Sequence, residues 1–269
     1  MDLKRSLKGK KNLLVVLFMV LGMGLFSCKK IDASKGDKLW FTPTVSTGFT
    51  GVEFAIAGNL TYNASTTTSV EIYTTQKVYD ATEFVVEDNT LKIKMKKGYS
   101  VSNGDYIQVI VNAPNVRNFI NSGSGSFIAN TDPQSTFTDS KVVLSGSGSI
   151  TVNQLNTYTH ETTLSGSGSI SIAQLFCTES NLTLSGSGNV SLTGQTVDSD
   201  IVLSASGTVS SYNFISDISD VLISGSGNVQ LHADSLLNVT ISGSGSVYYK
   251  GYPSVNVFGS GSGSVINAN

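Results

Sequence analysis

One short motif, Ser-Gly-Ser-Gly-Ser with small variations, starts at Ser122, Ser145, Ser165, Ser185, Ser204, Ser224, Ser242 and Ser260. The steps between starts are 23, 20, 20, 19, 20, 18 and 18 residues. A period of about 20 residues with β-type flanks indicates a solenoid, in which each repeat buries its apolar face on its neighbours. In VVLSGSGSITV, TTLSGSGSISI and LTLSGSGNVSL, apolar residues recur at every second position, which is the strand period. Leu182, Leu184, Gly186, Gly188, Val190 and Leu192 share one face; Thr183, Ser185, Ser187, Asn189 and Ser191 share the other. A slip of one residue would throw every aliphatic side chain into water, so register is strongly specified. A flexible linker carries no aliphatic residues in strict phase on both sides of each Gly/Ser run.

The alternation predicts one long strand through each motif, with the glycines facing inward. Glycine there serves either a sharp bend with positive φ or close approach of backbones. Connectors of about ten residues follow, each with one expected apolar anchor: Leu155, Leu175, Phe214 and Tyr252. The fourth copy, with Ala205 for glycine and Thr208 for serine, predicts a local irregularity near Ser211. The last copy, VFGSGSGSVIN, reads as carrying one extra Ser-Gly pair.

The chain divides into four parts. Residues 1–27 read as a lipoprotein signal peptide: Lys4, Arg5, Lys8, Lys10 and Lys11 precede an apolar run from Leu13 to Leu25. The run ends in Leu25-Phe26-Ser27-Cys28, which resembles the lipobox of bacterial lipoproteins and implies lipidation of Cys28. Residues 28–39 read as a tether. Its Lys29-Lys30-Ile31-Asp32 loosely resembles the export signal of surface lipoproteins of the Bacteroidetes. Residues 40–121 read as less regular N-terminal solenoid rungs, with residues 40–60 capping one end, and 122–269 as the regular array. No 3.6-residue period is visible beyond residue 30. The expected fold is therefore all-β, a single parallel β-helix preceded by a signal peptide.

Charge narrows the function. Without residues 1–27 the chain has 12 bases and 18 acids, and residues 122–269 hold only Lys141 and Lys250 against nine acids. Such a surface is a poor nucleic-acid binder. The row Lys92, Lys94, Lys96 guards a sheet edge, faces solvent, or forms a weak site for anionic glycans. The acids Glu161, Glu179, Asp198, Asp200, Asp217, Asp220 and Asp234 come one or two per connector. They read as turn caps, with a Ca²⁺-binding stripe or a catalytic pair as alternatives. His160 and His232 lie in different connectors, which argues against a triad or metal site. Cys177 reads as a packed small apolar residue. No catalytic residue, metal ligand or cofactor is assigned.

The face rich in hydroxyls is the candidate binding surface: Ser145, Ser147, Ser165, Ser167, Ser185, Ser187, Ser224, Ser226, Ser242 and Ser244. It reads as a solvated wall, as an array for a repeating glycan, or as an ice-binding plane. Three segments in order also resemble the family called putative auto-transporter adhesin head GIN domain. They are the Phe49 to Ile56 strand, the Glu87 to Ile93 hairpin, and the Val109 to Val116 strand running into the array. The resemblance implies a right-handed parallel β-solenoid and no catalytic residues. The expected function is a lipid-anchored outer-membrane protein, facing the cell surface or the periplasm, with adhesin-like binding to glycan or protein partners. A polysaccharide-processing enzyme or accessory and a passive spacer are the alternatives. The C-terminal end shows no cap, so end-to-end pairing of two copies is a further expectation.

Overall fold

Each repeat folds as strands meeting at a glycine corner. The structure, a computed structural model, describes residues 28–269; the expected signal peptide lies outside the described residues. Strands Phe137–Leu144 and Ser149–Val152 flank the motif that starts at Ser145, and the motif itself is a bend. The period-two alternation survives across the corner, but the single long strand expected there does not form. The described residues are 62% strand and 4% helix and coil through about 8 turns of a β-solenoid.

The rungs stack in parallel register. Leu144 lies on Leu164, then Leu184, Leu203 and Ile223. On the next wall Ile150 lies on Ile170, Val190, Val209 and Val229. The first set is fully buried, and the second is at most 1% exposed. Each such side chain contributes about 1.5–3 kcal/mol by leaving water.

The motif glycines answer to close approach. Their φ angles are not positive. A Cβ added at Gly146, Gly166, Gly186 or Gly243 would stand well inside 3.0 Å of a carbonyl oxygen one rung back: that of Gly123, Gly146, Gly166 or Gly225. The missing side chain thus points along the stack. This corrects the inward orientation expected from alternation. In the last copy Gly259, at φ +106°, stands against the Ile241 carbonyl, and Gly261 and Gly263 stand on Gly243 and Gly245. That copy therefore carries no insertion; Gly259 replaces an aliphatic residue.

The N-terminal region departs most from a simple coil. Gly51–Phe54 pairs with Asn118–Asn121 on one side and Thr90–Met95 on the other. Asn59–Ala64 likewise lies between Ser126–Asn130 and Gln108–Ala113. Chain order and stacking order therefore differ, and residues 51–64 form an internal rung rather than the expected cap. The cap is antiparallel: Ser69–Thr75 on Gln108–Ala113, Lys38–Phe41 on Ser69–Thr75, and Thr82–Glu87 on Thr90–Met95. It includes a six-residue helix, Gln76–Ala81, N-capped by the Thr75 hydroxyl, which accepts from the Val78 N–H. One and a half turns are too short to write a 3.6-residue period.

Residues 28–39 are not a loose tether. Lys29–Asp32 pairs in parallel with Tyr99–Ser102, and Ala33 is fully buried. Ile31 and Ala33 pack on the core and hold the segment down, an alternation too short to stand out in a charged stretch.

Candidate binding surfaces

The structure puts the expected serines on the outside of the glycine corner. Ser145, Ser165, Ser185, Ser224 and Ser242 are exposed, as are Ser147, Ser167, Ser187, Ser226 and Ser244. The two sets do not share one site. Ser147 and Ser167, with Ser124, line an open groove of about 600 Å³ whose floor includes Gly125, Gly148 and Gly168. Gly104 and Asp105 close its N-terminal end, and Asn189 lies at the other. Ser145 and Ser165 stand outside this groove. The groove exists because a side chain at the floor glycines would strike the rung behind. That steric demand leaves the backbone bare between two rows of hydroxyls.

The early hydroxyls of both sets are unspent. Ser145, Ser147, Ser165, Ser167, Ser185 and Ser187 make no side-chain hydrogen bond among the described residues. Neighbouring positions do: Ser149 donates to the Ser126 hydroxyl at 3.3 Å and Ser262 to the Ser244 hydroxyl at 3.1 Å. Adjacent rungs lie about 4.8 Å apart, so each row presents donor-acceptor groups at that interval.

A second surface carries the acids. In register along one wall run Lys141, Glu161, Asn181, Asp200, Asp220, Asn238 and Asn256. Lys141 pairs with Glu161 at 2.8 Å, Asn238 donates to Asp220 at 2.7 Å, and Asn256 donates to Asn238 at 2.9 Å. Glu179 and Asp198 stand beside this column, on adjoining rungs. Burial, then the charges of Asp220, Asp198 and Glu179, raise the Asp200 carboxyl above its usual range. Among the described residues no group of three or more His, Cys, Asp or Glu could hold a metal ion. Asp217 and Asp234 lie apart from this column; Asp234 meets His232 at 3.1 Å.

Inside the coil lies a polar row that alternation in the motif flanks did not reach. Ser140, His160, Ser180, Ser199 and Ser219 stack in register and are at most 5% exposed. His160 Nδ1 is 2.7 Å from the Ser140 hydroxyl, and Nε2 is 2.9 Å from that of Thr162. Burial pushes this imidazole down to about 3. Each member sits two residues before the first inward position of its rung, so the same alternation carried one step upstream locates it. Cys177 packs against the core, and burial pushes its thiol up to about 11. The thiolate, the reactive form, is thus suppressed.

Leu155, Leu175 and Phe214 are buried as expected, whereas Tyr252 is 89% exposed. Gly251, buried at φ +90°, takes the turn there in place of an apolar anchor. The irregularity near Ser211 is present as a register shift between Ser211 and Ile215. The buried Ser211 hydroxyl donates to the Gln230 carbonyl at 2.6 Å.

A model of the family described as putative auto-transporter adhesin, head GIN domain, matches residues 48–253. The chain belongs to this family. The GIN-domain match spans the internal rung, the cap except Lys38–Phe41, and most of the array. Solved structures of similar fold come from Parabacteroides and Bacteroides species. A putative lipid binding protein from Parabacteroides distasonis shares 24% identity with a TM-score of 0.80, covering 90% of this chain and all of that one. A putative adhesin from the same organism shares 19% with a TM-score of 0.79, covering 88% and 99%. A putative adhesin from Parabacteroides merdae shares 21% with a TM-score of 0.73, covering 89% and 100%. No curated protein matches the chain. The family is described as an adhesin head domain, a description that points to the cell envelope or surface. No helix among the described residues is long and apolar enough to cross a membrane.

Proposed function

We propose that the protein is a lipid-anchored adhesin of the outer membrane that binds a repeating glycan, or a protein partner, along its serine corner. The observation that carries this reading is the open groove beside Ser147 and Ser167, in which unspent hydroxyls repeat at the rung interval over a glycine floor. A polymer with a regular repeat can meet such an array with several equivalent weak contacts, and their sum gives avidity. The family description and the names of two structural neighbours as adhesins support the same reading. Acylation of Cys28 supplies the anchor, and the exposed Cys28 leaves the sulfur accessible.

The test is a binding screen of the chain from residue 28, with Cys28→Ser, against glycan arrays and matrix proteins. A hit should weaken about tenfold in the double variant Ser147→Val/Ser167→Val, which removes two hydroxyls and keeps the strand preference of the corner's flanks. Silence across a broad panel, or a hit indifferent to both substitutions, counts against the serine corner.

A further inference from the structure

We infer that the N-terminal end of the solenoid is a docking surface for an anionic lipid bilayer, the one that carries the acyl chains on Cys28. The inference rests on the lipid-anchored reading and adds a second, non-covalent contact with the same membrane.

Placement comes first. Cys28 leaves the folded part without a spacer: the Lys29 N–H donates to the Gly98 carbonyl at 2.8 Å, and the strand that follows is paired along its length. Lys38–Phe41 is the outermost strand of its wall, since it pairs only with Ser69–Thr75. Helix Gln76–Ala81 and the Lys29–Asp32 strand belong to the same terminal layer, because Lys29, Lys77 and Tyr99 line one shared cleft of about 230 Å³. Ile31, Asp80 and Ala81 complete that cleft. A chain acylated at Cys28 therefore holds this layer, and not the serine corner, against the bilayer.

Chemistry comes second. The layer exposes residues that soluble surfaces usually cover: Leu39 is 57% exposed and Trp40 51%. Tyr99 and Tyr106, at 36% and 48% exposed, each stand under a lysine, with Lys29 5.7 Å from the Tyr99 ring centre and Lys38 4.8 Å from that of Tyr106. Edge protection accounts for a lysine on an outer strand but not for an exposed Leu-Trp pair beside it. Trp and Tyr, apolar in body and polar at one edge, favour the level of lipid headgroups.

Charge comes third. Residues 29–97 hold nine of the 12 bases outside residues 1–27 against eight acids, whereas residues 118–269 hold only Lys141 and Lys250 against nine acids. The acids of the cap are partly engaged: Glu87 by Lys92 at 2.9 Å, Glu83 by Lys94 and Asp32 by Lys35, both at 3.7 Å. Lys29, Lys30, Lys77, Lys96 and Lys97 form no ion pair with a carboxylate among the described residues. The molecule is thus polarised along its axis, nearly balanced in charge at the anchored end, with five lysines free of ion pairs there, and acidic beyond. Within a Debye length of about 8–10 Å an anionic surface attracts those unpaired lysines and repels the acidic array, which sets the solenoid upright.

Trp40 is the only tryptophan, so its fluorescence reports this surface alone. The chain from residue 28 with Cys28→Ser, which cannot be acylated, is titrated with phosphatidylglycerol-containing vesicles and with phosphatidylcholine vesicles. The expected result is a blue shift of Trp40 emission and quenching by brominated lipid on the anionic vesicles. Binding should weaken about tenfold in Lys29→Glu/Lys77→Glu, and also in 0.5 M salt. Leu39→Ser should reduce the quenching, with circular dichroism unchanged in every variant. The inference is overturned if Trp40 is silent on anionic vesicles, or responds equally to both lipids and to high salt. It is also overturned if Trp40 shifts with protein concentration in the absence of lipid, which would make the surface a contact between copies. Mass spectrometry of Cys28 in cells expressing the full chain reads the anchor separately. Vesicle binding without acylation would retain the docking surface and remove the anchor.

Discussion

At Gly166 a single hydrogen stands where any other residue would place a carbon, and the Gly146 carbonyl lies against it. Gly166→Ala must therefore push two rungs apart, and overpacking of this kind costs about 1–3 kcal/mol. Ala205 gives the control, because it already carries a Cβ at the equivalent corner position, and its carbonyl accepts from both the Ser226 and Gly227 N–H groups. Ala205→Gly should change stability by less than about 1 kcal/mol. Urea unfolding of the two variants measures both effects; equal costs would refute the close-approach account. His160 is the second residue-scale case. The fold holds it neutral down to about 3, whereas the unfolded chain protonates it near the ordinary 6.5. The unfolded state thus binds more protons between those values. The stability His160 provides is complete above about pH 6.5 and falls as pH drops towards 3. Between pH 6.5 and 4.5 wild type should lose roughly 2–3 kcal/mol more than His160→Gln. Paired denaturant titrations at those two pH values check the difference, and parallel pH profiles would assign the loss to other groups.

At the scale of elements, the rung is the unit of cohesion. Each strand pairs with its equivalents one rung away, and core contacts such as Leu144 on Leu164 on Leu184 repeat with the period. Deleting residues 165–184, one full period, joins Leu164 to Ser185 and restores the same neighbours. The shortened chain should keep its β-type circular dichroism and a cooperative melt, with a modestly lower Tm, as expected where stability is a sum over repeats. Deleting residues 165–174 leaves half a rung and should give an aggregated or unfolded product. Element boundaries were only partly readable beforehand. The corner interrupts a strand that alternation alone draws as continuous, because the bend lies in backbone torsions to which the period of two is blind. The helix Gln76–Ala81 and the strands Lys29–Asp32 and Lys38–Phe41 escaped notice for a related reason. Each is short and held by partners distant in sequence, such as Tyr99–Ser102 and Ser69–Thr75.

For the whole molecule, the two ends differ. The N-terminal end is closed by antiparallel strands and a helix, whereas the C-terminal rung leaves Val257 57%, Phe258 59% and Ile266 40% exposed. Residues 251–269 contain no charged side chain, so nothing repels a second copy there. With one end closed, stacking cannot propagate, and the exposed C-terminal rung of the described residues predicts pairing as a two-fold dimer. Light scattering after size exclusion should show a concentration-dependent dimer that Val257→Lys/Phe258→Lys converts to monomer. A monomer at every concentration refutes the pairing. The axis has a chemical direction as well, with lysines and exposed aromatics at the cap, the serine groove along one corner and acids on another wall.

Periodicity by itself determined that this chain coils, which side chains line the coil and which hydroxyls look out. Leu144, Leu164, Leu184 and Ile223 are buried as it requires, because a two-residue alternation repeated every 20 residues has one arrangement that hides all its aliphatic groups. Only the tertiary structure decided why glycine occupies the corners, since the oxygen that excludes a Cβ belongs to a residue one rung back. It alone brought Ser147 and Ser167 into a groove closed by Asp105, and it alone gathered Lys29, Trp40, Lys77 and Tyr99 at one end. Asp105, Lys29, Trp40, Lys77 and Tyr99 come from segments outside the repeat array, and their proximity is set by long-range strand pairing, on which a local pattern is silent.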